Sequence, residues 1–293
     1  MSDQDQPLKT YRANCHCGAF IYEVDLPELK TVRNCNCSIC SRKGYIFTGP
    51  SHPEALKIVK GDEAGLTTYS FGAGKMEHKF CPDCATPLLV RMDIDDPKYA
   101  LGLNVHAFQD VDTWALERKT FDGKNYGSPY ETPKYTGPQP AEEVEGGRTY
   151  TGSCHCGRVQ VALSTKPLDE TFPDPVAECK CSICERNGYL WVWPMGVNVA
   201  LHGDDKDIGR YVFARKMMAK TFCKTCGVNL TNQPVDLAED VIAAMGEEDR
   251  GWFLSGRQRH PVNIRVLHDV DLTKLTPSRM TQSRDMGPKY VNP

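Results

Sequence analysis

The fourteen cysteines of this 293-residue chain fall into two sets of seven that share one order. Each set has a CxC pair, then a CxCxxC cluster, then a CxxC pair, and no cysteine is left over. The first set is Cys15, Cys17, Cys35, Cys37, Cys40, Cys81 and Cys84, and the second is Cys154, Cys156, Cys179, Cys181, Cys184, Cys223 and Cys226. This order constrains the fold more than any other feature of the sequence.

The residues around the cysteines repeat as well. Residues 14–18 (NCHCG) match residues 153–157 (SCHCG), and the CSIC of residues 37–40 returns at residues 181–184. Self-similarity at a long period is the signature of a duplicated unit. The sequence therefore predicts two tandem copies of one domain.

A segment rich in Pro, Gly and Glu, TGPQPAEEVEGG at residues 136–147, has little to bury and is predicted to be a linker. The first copy then spans residues 1–135 and the second copy residues 148–293. The second copy is longer between its last cysteine and the shared asparagine. Its extra residues lie near 236–256 and are expected to form a short helix with a loop.

Composition excludes several classes of protein. With 40% hydrophobic and 25% charged residues the chain is typical of globular proteins, and its net charge of −3 argues against a non-specific nucleic-acid binder. The start of the chain is unlike a signal peptide, and no apolar run reaches the roughly 18 residues of a membrane span. We expect a cytoplasmic protein, whose thiols stay reduced and act as metal ligands or catalytic groups.

Short β-rich runs bounded by Gly and Pro predict a mainly β fold for each copy. The predicted strands of the first copy are residues 19–24, 56–60, 66–71, 76–80, 87–92 and 100–106. Those of the second copy are residues 159–164, 197–202, 209–214, 217–222, 227–232 and 262–267. No stretch predicts a long amphipathic helix.

The CxC and CxxC pairs of each copy together form a closed set of four thiolates, the ligand number of a structural zinc. These four-cysteine sites are Cys15, Cys17, Cys81 and Cys84 in the first copy, and Cys154, Cys156, Cys223 and Cys226 in the second. Such a site would join the first strand of a copy to a later one. The alternative, a thioredoxin-like redox CxxC, requires a βαβ setting that the sequence does not show.

The CxCxxC clusters place three thiols within six residues, too close together for unstrained disulfides but well suited to a metal. These three-cysteine sites are Cys35, Cys37 and Cys40 in the first copy, and Cys179, Cys181 and Cys184 in the second. Soft sulfur ligands favour zinc, and three ligands leave one position open for chemistry. We interpret these cysteines as ligands of a catalytic zinc, so that each chain binds up to four zinc ions, two per domain. The alternative is a closed structural site with a fourth ligand from a distant His or Asp.

Histidines give no matched fourth ligand for the two copies. His16 and His155 match, but each lies between two ligands of a four-cysteine site. His78 precedes the Phe-Cys of the first copy, and Lys220 holds its place in the second. A ligand shared by both copies is therefore not evident among the histidines.

Basic residues follow each three-cysteine site: Arg42 and Lys43 in the first copy, and Arg186 in the second. Arginine can bind a substrate carboxylate through two parallel hydrogen bonds. The alternative is an ordinary solvated charge in a loop.

These motifs resemble the glutathione-dependent formaldehyde-activating enzyme family, which also includes the centromere protein V-like proteins. The resemblance rests on residues 14–18 and 152–157 (GSCHCG), on the CxCSxC of residues 35–40 and 179–184, and on the FCxxC that begins at Phe80 and at Phe222. It implies a β-rich fold similar to the Mss4-like β-tent, with one structural zinc on the CxC and CxxC cysteines and one catalytic zinc on the other three. The family reaction joins formaldehyde to glutathione, which gives S-hydroxymethylglutathione, and is classed with the carbon–sulfur lyases.

The expected function is a zinc-dependent carbon–sulfur lyase that acts on adducts of glutathione, or another small thiol, with an aldehyde or related electrophile. The expected partners are that thiol, and neither nucleic acid nor membrane. The alternative is a non-catalytic, zinc-stabilised binding or scaffold module like the centromere protein V group. The chain departs from the family pattern at Ala85, where Gly is expected, and at Lys220, where His is expected. Which copy is active stays open.

Overall fold

The structure is a computed structural model that describes residues 7–48, 52–282 and 287–293. It is mainly β, with 34% strand and 19% helix. The chain divides into two compact units, Met1–Glu131 with Glu185–Gly188 and Val291–Pro293, and Thr132–Cys184 with Tyr189–Tyr290. Among the described residues, no helix has the length and apolar character needed to cross a membrane.

The first copy has nine strands and one α-helix in its described residues. They are β1 (Leu8–Asn14), β2 (Ile21–Pro27), β3 (Thr31–Cys35), α1 (Ser38–Lys43), β4 (Leu56–Lys60), β5 (Thr67–Tyr69), β6 (Met76–Phe80), β7 (Pro87–Met92), β8 (Leu101–Leu103) and β9 (Glu117–Phe121). Three sheets result: an antiparallel β1-β2-β4 sheet, an antiparallel β5-β6-β7-β8 sheet, and a parallel β3-β9 pair.

The second copy repeats this order and adds one strand, Trp191–Val192, and two helices. Its elements are β10 (Arg148–Ser153), β11 (Gln160–Thr165), β12 (Ala177–Cys179), α2 (Ser182–Asn187), β13 (Trp191–Val192), β14 (Val199–His202), β15 (Ile208–Val212), β16 (Met218–Cys223), β17 (Asn229–Pro234), α3 (Glu239–Ala243), α4 (Glu247–Gly256), β18 (Val262–Asn263) and β19 (Ser278–Met280). Its sheets are β10-β11-β14 and a seven-stranded sheet in the order β15-β16-β17-β18-β13-β12-β19.

The two copies share one topology, which confirms the predicted duplication. In the second copy β13 links β18 to β12, and so joins two groups of strands into one sheet. In the first copy, Phe47 makes the same link through single bridges to Arg33 and Asn104.

Alternation of apolar and polar residues explains the strands that cover the core. In β2 the side chains of Tyr22, Val24 and Leu26 are buried, while Asp25 between them is exposed. A period of two places alternate side chains on one face of a sheet. The ring of Tyr22 meets the edge of Phe108 with 6.2 Å between centroids, so that this face closes on an aromatic core.

Each predicted strand is present at least in part, and three of them, β4, β6 and β7, have the predicted ends. The runs at 100–106 and 262–267 were predicted as whole strands, and this was wrong for their second halves, which form 3₁₀ turns at Val105–Ala107 and Ile264–Val266. The insertion folds as two short helices, α3 and α4, where one helix was expected.

Seven strands were not predicted: β1, β3, β9, β10, β12, β13 and β19. Strands β3 and β9 show why, because their residues TVRNC and ERKTF are largely polar and every residue of β9 is exposed. Such strands carry no alternating pattern, and they form because β3 and β9 pair in parallel from Thr31 with Glu117 to Cys35 with Phe121.

Candidate metal centres

The first four-cysteine site lies where two loops meet, one after β1 and one after β6. The four Sγ atoms lie within 4.8 Å of one another. Cys17 Sγ is 3.5 Å from Cys15 Sγ and 3.6 Å from Cys81 Sγ. Four sulfurs around a tetrahedral zinc, at about 2.3 Å from the metal, lie about 3.8 Å apart. The sulfurs of Cys15, Cys17, Cys81 and Cys84 are therefore spaced as zinc ligands.

Tight turns hold these sulfurs in place. The turn after Cys15 passes through Gly18, whose φ of 72° lies in the left-handed region, and returns so that the backbone N–H of Phe20 donates to Cys15 Sγ at 3.2 Å. The turn after Cys81 passes through Ala85, with a φ of 55°. Residues with a side chain rarely adopt this conformation, and the second copy has Gly227 at the same position, with a φ of 65°.

The second four-cysteine site repeats this arrangement. Cys156 Sγ is 3.6 Å from Cys154 Sγ and 3.5 Å from Cys223 Sγ, and all four Sγ atoms, including that of Cys226, lie within 4.8 Å. The backbone N–H of Val159 donates to Cys154 Sγ at 3.3 Å, as Phe20 does in the first copy. Both sets of loops thus produce the same cage of sulfurs.

Charge within each cage is shared unevenly between the thiols. The hydrogen bond with Cys17 lowers the pKa of Cys15, and the same bond raises the pKa of Cys17. Likewise the hydrogen bond with Cys154 lowers the pKa of Cys156. Crowded thiols compete in this way because several negative sulfurs cannot lie together unless a cation compensates them. A divalent metal ion would do so, and it would deprotonate its thiol ligands.

The first three-cysteine site forms where β3 ends and α1 begins. Cys35 is the last residue of β3, Cys37 immediately precedes α1, and Cys40 lies within that helix, so that their Sγ atoms come within 4.8 Å of one another. Hydrogen bonds from Cys35 and Cys40, helped by the backbone amides of Cys40 and Ile39, lower the pKa of Cys37 to about 2. The site thus holds a thiolate readily.

A loop that the sequence analysis missed covers this site. Asn36 donates to Asp122 Oδ1 at 2.8 Å and accepts from the backbone N–H of Lys124 at 3.0 Å. Between them Gly123 lies against the cysteines, and a Cβ at this position would overlap Cys35 Sγ. Glycine is therefore needed here for space. The parallel pairing of β9 with β3 brings this loop to the cysteines from far along the chain.

The second three-cysteine site is built alike on the end of β12 and the start of α2. The Sγ atoms of Cys179, Cys181 and Cys184 lie within 4.8 Å of one another. The indole N–H of Trp191 donates to Cys184 Sγ at 3.3 Å. The hydrogen bond with Cys179 raises the pKa of Cys181, and the positive charge of Lys220 opposes this rise.

A pair of stacked rings supports each three-cysteine site. The rings of Tyr45 and Phe47 lie 4.7 Å apart in the first copy, and those of Tyr189 and Trp191 lie 4.3 Å apart in the second. In the second copy the partly buried Trp193 also packs on this cluster, with Tyr211 and Phe213. The cysteines of the second site therefore lie beside an aromatic surface.

No fourth ligand joins either three-cysteine site within the described residues. The His, Cys, Asp and Glu side chains that gather around these sulfurs number only the three cysteines in each copy. His78, the candidate near the Phe-Cys motif, is buried on β6 with its ring 5.8 Å from Tyr45. His16 and His155 are buried in the loops of the four-cysteine sites.

The basic residues after the first site are buried. Arg42 donates to the carbonyl oxygen of Ser38, one turn earlier, at 2.8 Å, and its guanidinium lies 4.9 Å from the ring centroid of Tyr130. Lys43 is 2% exposed, with its Nζ 4.4 Å from the ring centroid of Phe80. Arg186 is buried as well. The interpretation of these residues as solvated loop charges is therefore wrong.

All fourteen cysteines are free thiols, and none forms a disulfide. Within the part of the chain that the structure describes, four groups of ligand atoms can thus hold metal ions: two with four sulfurs and two with three.

Comparison with known proteins supports the division of the chain into two copies. The family model described as glutathione-dependent formaldehyde-activating enzyme matches residues 10–122 and again residues 149–263. A crystal structure of a protein from Rhodobacter sphaeroides is 28% identical in sequence over 37% of this chain and 99% of that chain, with a TM-score of 0.32.

Proposed function

The chain belongs to the glutathione-dependent formaldehyde-activating enzyme family, and we propose that it is a zinc-dependent carbon–sulfur lyase. Its substrates are adducts that glutathione, or another small thiol, forms with an aldehyde or related electrophile. The observation that carries this proposal is the presence, in each copy, of three cysteine sulfurs with no fourth ligand among the described residues. A site with three protein ligands leaves room for a substrate atom.

The four metal groups have two different roles in this proposal. The four-cysteine sites bind structural zinc, because their ligand set is complete and joins loops that are 64 or more residues apart in the chain. The three-cysteine sites bind catalytic zinc. The protein would then hold up to four Zn²⁺ ions, two per copy. A chain with fourteen free cysteines suits a reducing compartment such as the cytoplasm.

Zinc in a three-cysteine site would favour the thiolate form of a bound thiol at neutral pH. The side chains of the protein have supporting roles. Cys35, Cys37 and Cys40, or Cys179, Cys181 and Cys184, would hold the metal, and in the second copy Tyr189 and Trp191 pack against these cysteines.

The reaction in the joining direction forms one bond between the thiol sulfur and the carbonyl carbon. The C=O double bond becomes a single bond, and the proton of the thiol ends on the carbonyl oxygen. The lyase direction reverses each change, so that no oxidant or reductant is required.

Exchange spectroscopy by NMR tests this proposal, because it measures how fast the carbon–sulfur bond of the adduct forms and breaks at equilibrium. Glutathione and formaldehyde would be mixed with the protein, with no protein, and with the variant Cys37→Ser/Cys181→Ser. We expect the wild-type protein alone to accelerate exchange above the uncatalysed rate, which is itself fast.

Metal analysis completes the test and distinguishes the alternative. We expect four zinc ions per chain for protein purified under reducing conditions, and two for the double variant. Four zinc ions without any acceleration would favour a zinc-stabilised binding or scaffold module. One metal per copy or none would contradict the assignment of the sites.

A further inference from the structure

The two three-cysteine sites differ at several matched positions, and two of these lie in or against the stacked pair of rings. His78 on β6 and Lys220 on β16 each lie two residues before the Phe-Cys of their copy. Phe47 and Trp191 each lie two residues after the tyrosine that follows the site. The cysteines and the tyrosines are the same in both copies. These two exchanges therefore change the surroundings of the metal ligands and leave the ligands themselves unchanged.

Trp191 contributes a hydrogen bond that the first copy cannot form. Its ring is stacked on Tyr189 and 2% exposed, and its indole N–H donates to Cys184 Sγ at 3.3 Å. Phe47 occupies the same stacked position in the first copy, but a phenyl ring has no N–H. A hydrogen bond to a ligand sulfur stabilises negative charge on it and tunes the bound metal.

Lys220 adds a positive charge at the same place. Its side chain is 9% exposed, and its Nζ lies 4.6 Å from the ring centroid of Trp191 and 5.4 Å from that of Tyr189. Within the described part of the chain, no carboxylate forms an ion pair with it. A buried ammonium is costly unless a negative charge faces it. Lys220 Nζ lies against the same indole ring that donates to Cys184 Sγ, and a sulfur ligand there can supply that charge.

The first copy also has a buried lysine beside its matched tyrosine, but on helix α1: Lys43 Nζ lies 5.7 Å from the ring centroid of Tyr45. Lys43 lies over Phe80, 4.4 Å from the ring centroid, and Asn187 takes its place in the second copy. At the position of Lys220 the first copy has the ring of His78, which lies 5.8 Å from Tyr45 and 5.9 Å from Phe71. Each of the two described sites therefore has an ammonium beside its tyrosine ring, from α1 in the first copy and from β16 in the second, whereas the indole donor occurs at the second site alone.

The negative charge expected at the loaded site indicates a role for Lys220 and Trp191. Three thiolates around a divalent ion have a net charge of −1, and a substrate thiolate at the same site would bring the total to −2. Negative charge of this size in a half-buried site requires compensation from nearby donors and cations. Lys220 supplies one positive charge, and Trp191 supplies a donor to one of the sulfurs.

We propose that the second three-cysteine site is the one that receives the anionic thiol substrate, and that Lys220 and Trp191 are the positioning residues that stabilise its negative charge. This inference rests on the proposed function. Beyond that function, it assigns thiol binding to one copy and names the side chains that favour binding there.

Two single-site proteins test the inference in the full-length chain. Cys37→Ser disables the first three-cysteine site and leaves the second, and Cys181→Ser does the reverse. Each protein is loaded with Co²⁺, and 2-mercaptoethanol or glutathione is titrated while the sulfur-to-cobalt absorption is recorded. We expect the protein that keeps the second site to bind either thiol about tenfold more tightly, the effect of one strong hydrogen bond to a charged group.

Exchange of the matched residues tests the cause. In the Cys37→Ser protein, Lys220→Gln is expected to weaken thiol binding about tenfold, and Lys220→Arg is expected to retain most of it. Trp191→Phe is expected to weaken binding by a smaller factor. In the Cys181→Ser protein, the pair His78→Lys and Phe47→Trp is expected to strengthen binding. Cobalt content and a melting curve check that each variant is folded and loaded.

The outcomes separate this inference from the proposed function. Thiol binding of equal strength at the two sites, or tighter binding at the first, would overturn the inference and leave the proposed function intact. No thiol binding at either loaded site would overturn the proposed function itself. The comparison of the two single-site proteins needs no substitution at Lys220, so it decides the matter even if the Lys220 variants do not fold.

Discussion

The four-cysteine sites of the two copies are closely alike, whereas the surroundings of the three-cysteine sites are not. In both four-cysteine sites one sulfur lies 3.5 and 3.6 Å from two others, and a backbone N–H five residues later donates to the first cysteine. Around the three-cysteine sites, Phe47 is replaced by Trp191 and His78 by Lys220. The residues that complete a cage have little freedom to vary, while those that face an open site can change its chemistry.

Further differences lie away from the metal centres. The second copy carries helices α3 and α4, which pack through Ile242 and Phe253 on Met217, the residue before β16. It also buries His260, whose ring nitrogen Nε2 lies 2.9 Å from Thr231 Oγ1, at the position where the first copy has the buried Leu101. The common strands thus tolerate both an added helical layer and a polar group in the core.

The largest expected effect is the loss of a structural ligand. Cys84→Ser should destabilise the first copy, and Cys226→Ser the second, by about 5 kcal/mol or more, because a structural zinc contributes a large part of the folding free energy. Calorimetry with metal analysis would measure this, and the copy that keeps its cysteines is the internal control. An unchanged melting curve for either variant would show that its cysteine is not a ligand.

The helical insertion of the second copy has its own small core, which can be tested by substitution and has no counterpart in the first copy. Phe253 is 3% exposed in its cluster, so Phe253→Ala should lower the free energy of unfolding by about 4 kcal/mol through lost contacts and a cavity. The neighbouring Leu254 is 39% exposed, and Leu254→Ala should cost far less. Denaturant titration of both variants gives the comparison, and equal costs would mean that α4 does not pack as described.

Acid should weaken the second copy through His260. Burial lowers the pKa of His260 to about 4, well below the value of about 6.5 in the unfolded chain. The unfolded state therefore takes up a proton first. The stability from the neutral imidazole is fully present above about pH 6.5 and is lost as the pH falls toward 4, by about 3 kcal/mol.

Denaturant titrations from pH 7 to pH 4 would measure this contribution as a difference between proteins at equal metal load. The variant His260→Leu should lose less stability over this range than the wild type. The variant His202→Leu, which changes an exposed histidine of the same copy, should behave as the wild type does. Parallel curves for the wild type and His260→Leu would contradict the assignment.

The smallest effect concerns the turn after the CxxC. Ala85 and Gly227 occupy the same position with φ of 55° and 65°, where a side chain is strained. Ala85→Gly should stabilise the first copy by about 1 kcal/mol, and Gly227→Ala should destabilise the second by a similar amount. Thermal melts would show the two opposite shifts. A loss of stability in Ala85→Gly would mean that strain in this turn is not the limiting cost.

Much of the candidate site could be predicted from the sequence because its ligands are close neighbours. The CxC, CxCxxC and CxxC spacings each place sulfurs within one turn of the chain, and the repeat shows which groups belong together. The residues beside these motifs that could not be predicted are those that lie far away along the chain. Gly123 reaches Cys35 because β9 pairs with β3, and neither strand has an apolar pattern.

The sequence by itself determined the duplication, the mainly β fold and the grouping of the fourteen cysteines, since local spacing and repetition are properties of the chain. Only the tertiary structure decided what surrounds the three-cysteine sites. Lys220 is 36 residues from Cys184 in the chain, and it comes beside Trp191 because β16 and β13 lie in one sheet. Such contacts depend on how strands pair, and strand pairing is fixed by burial and hydrogen bonding across the whole sheet, which no local pattern records.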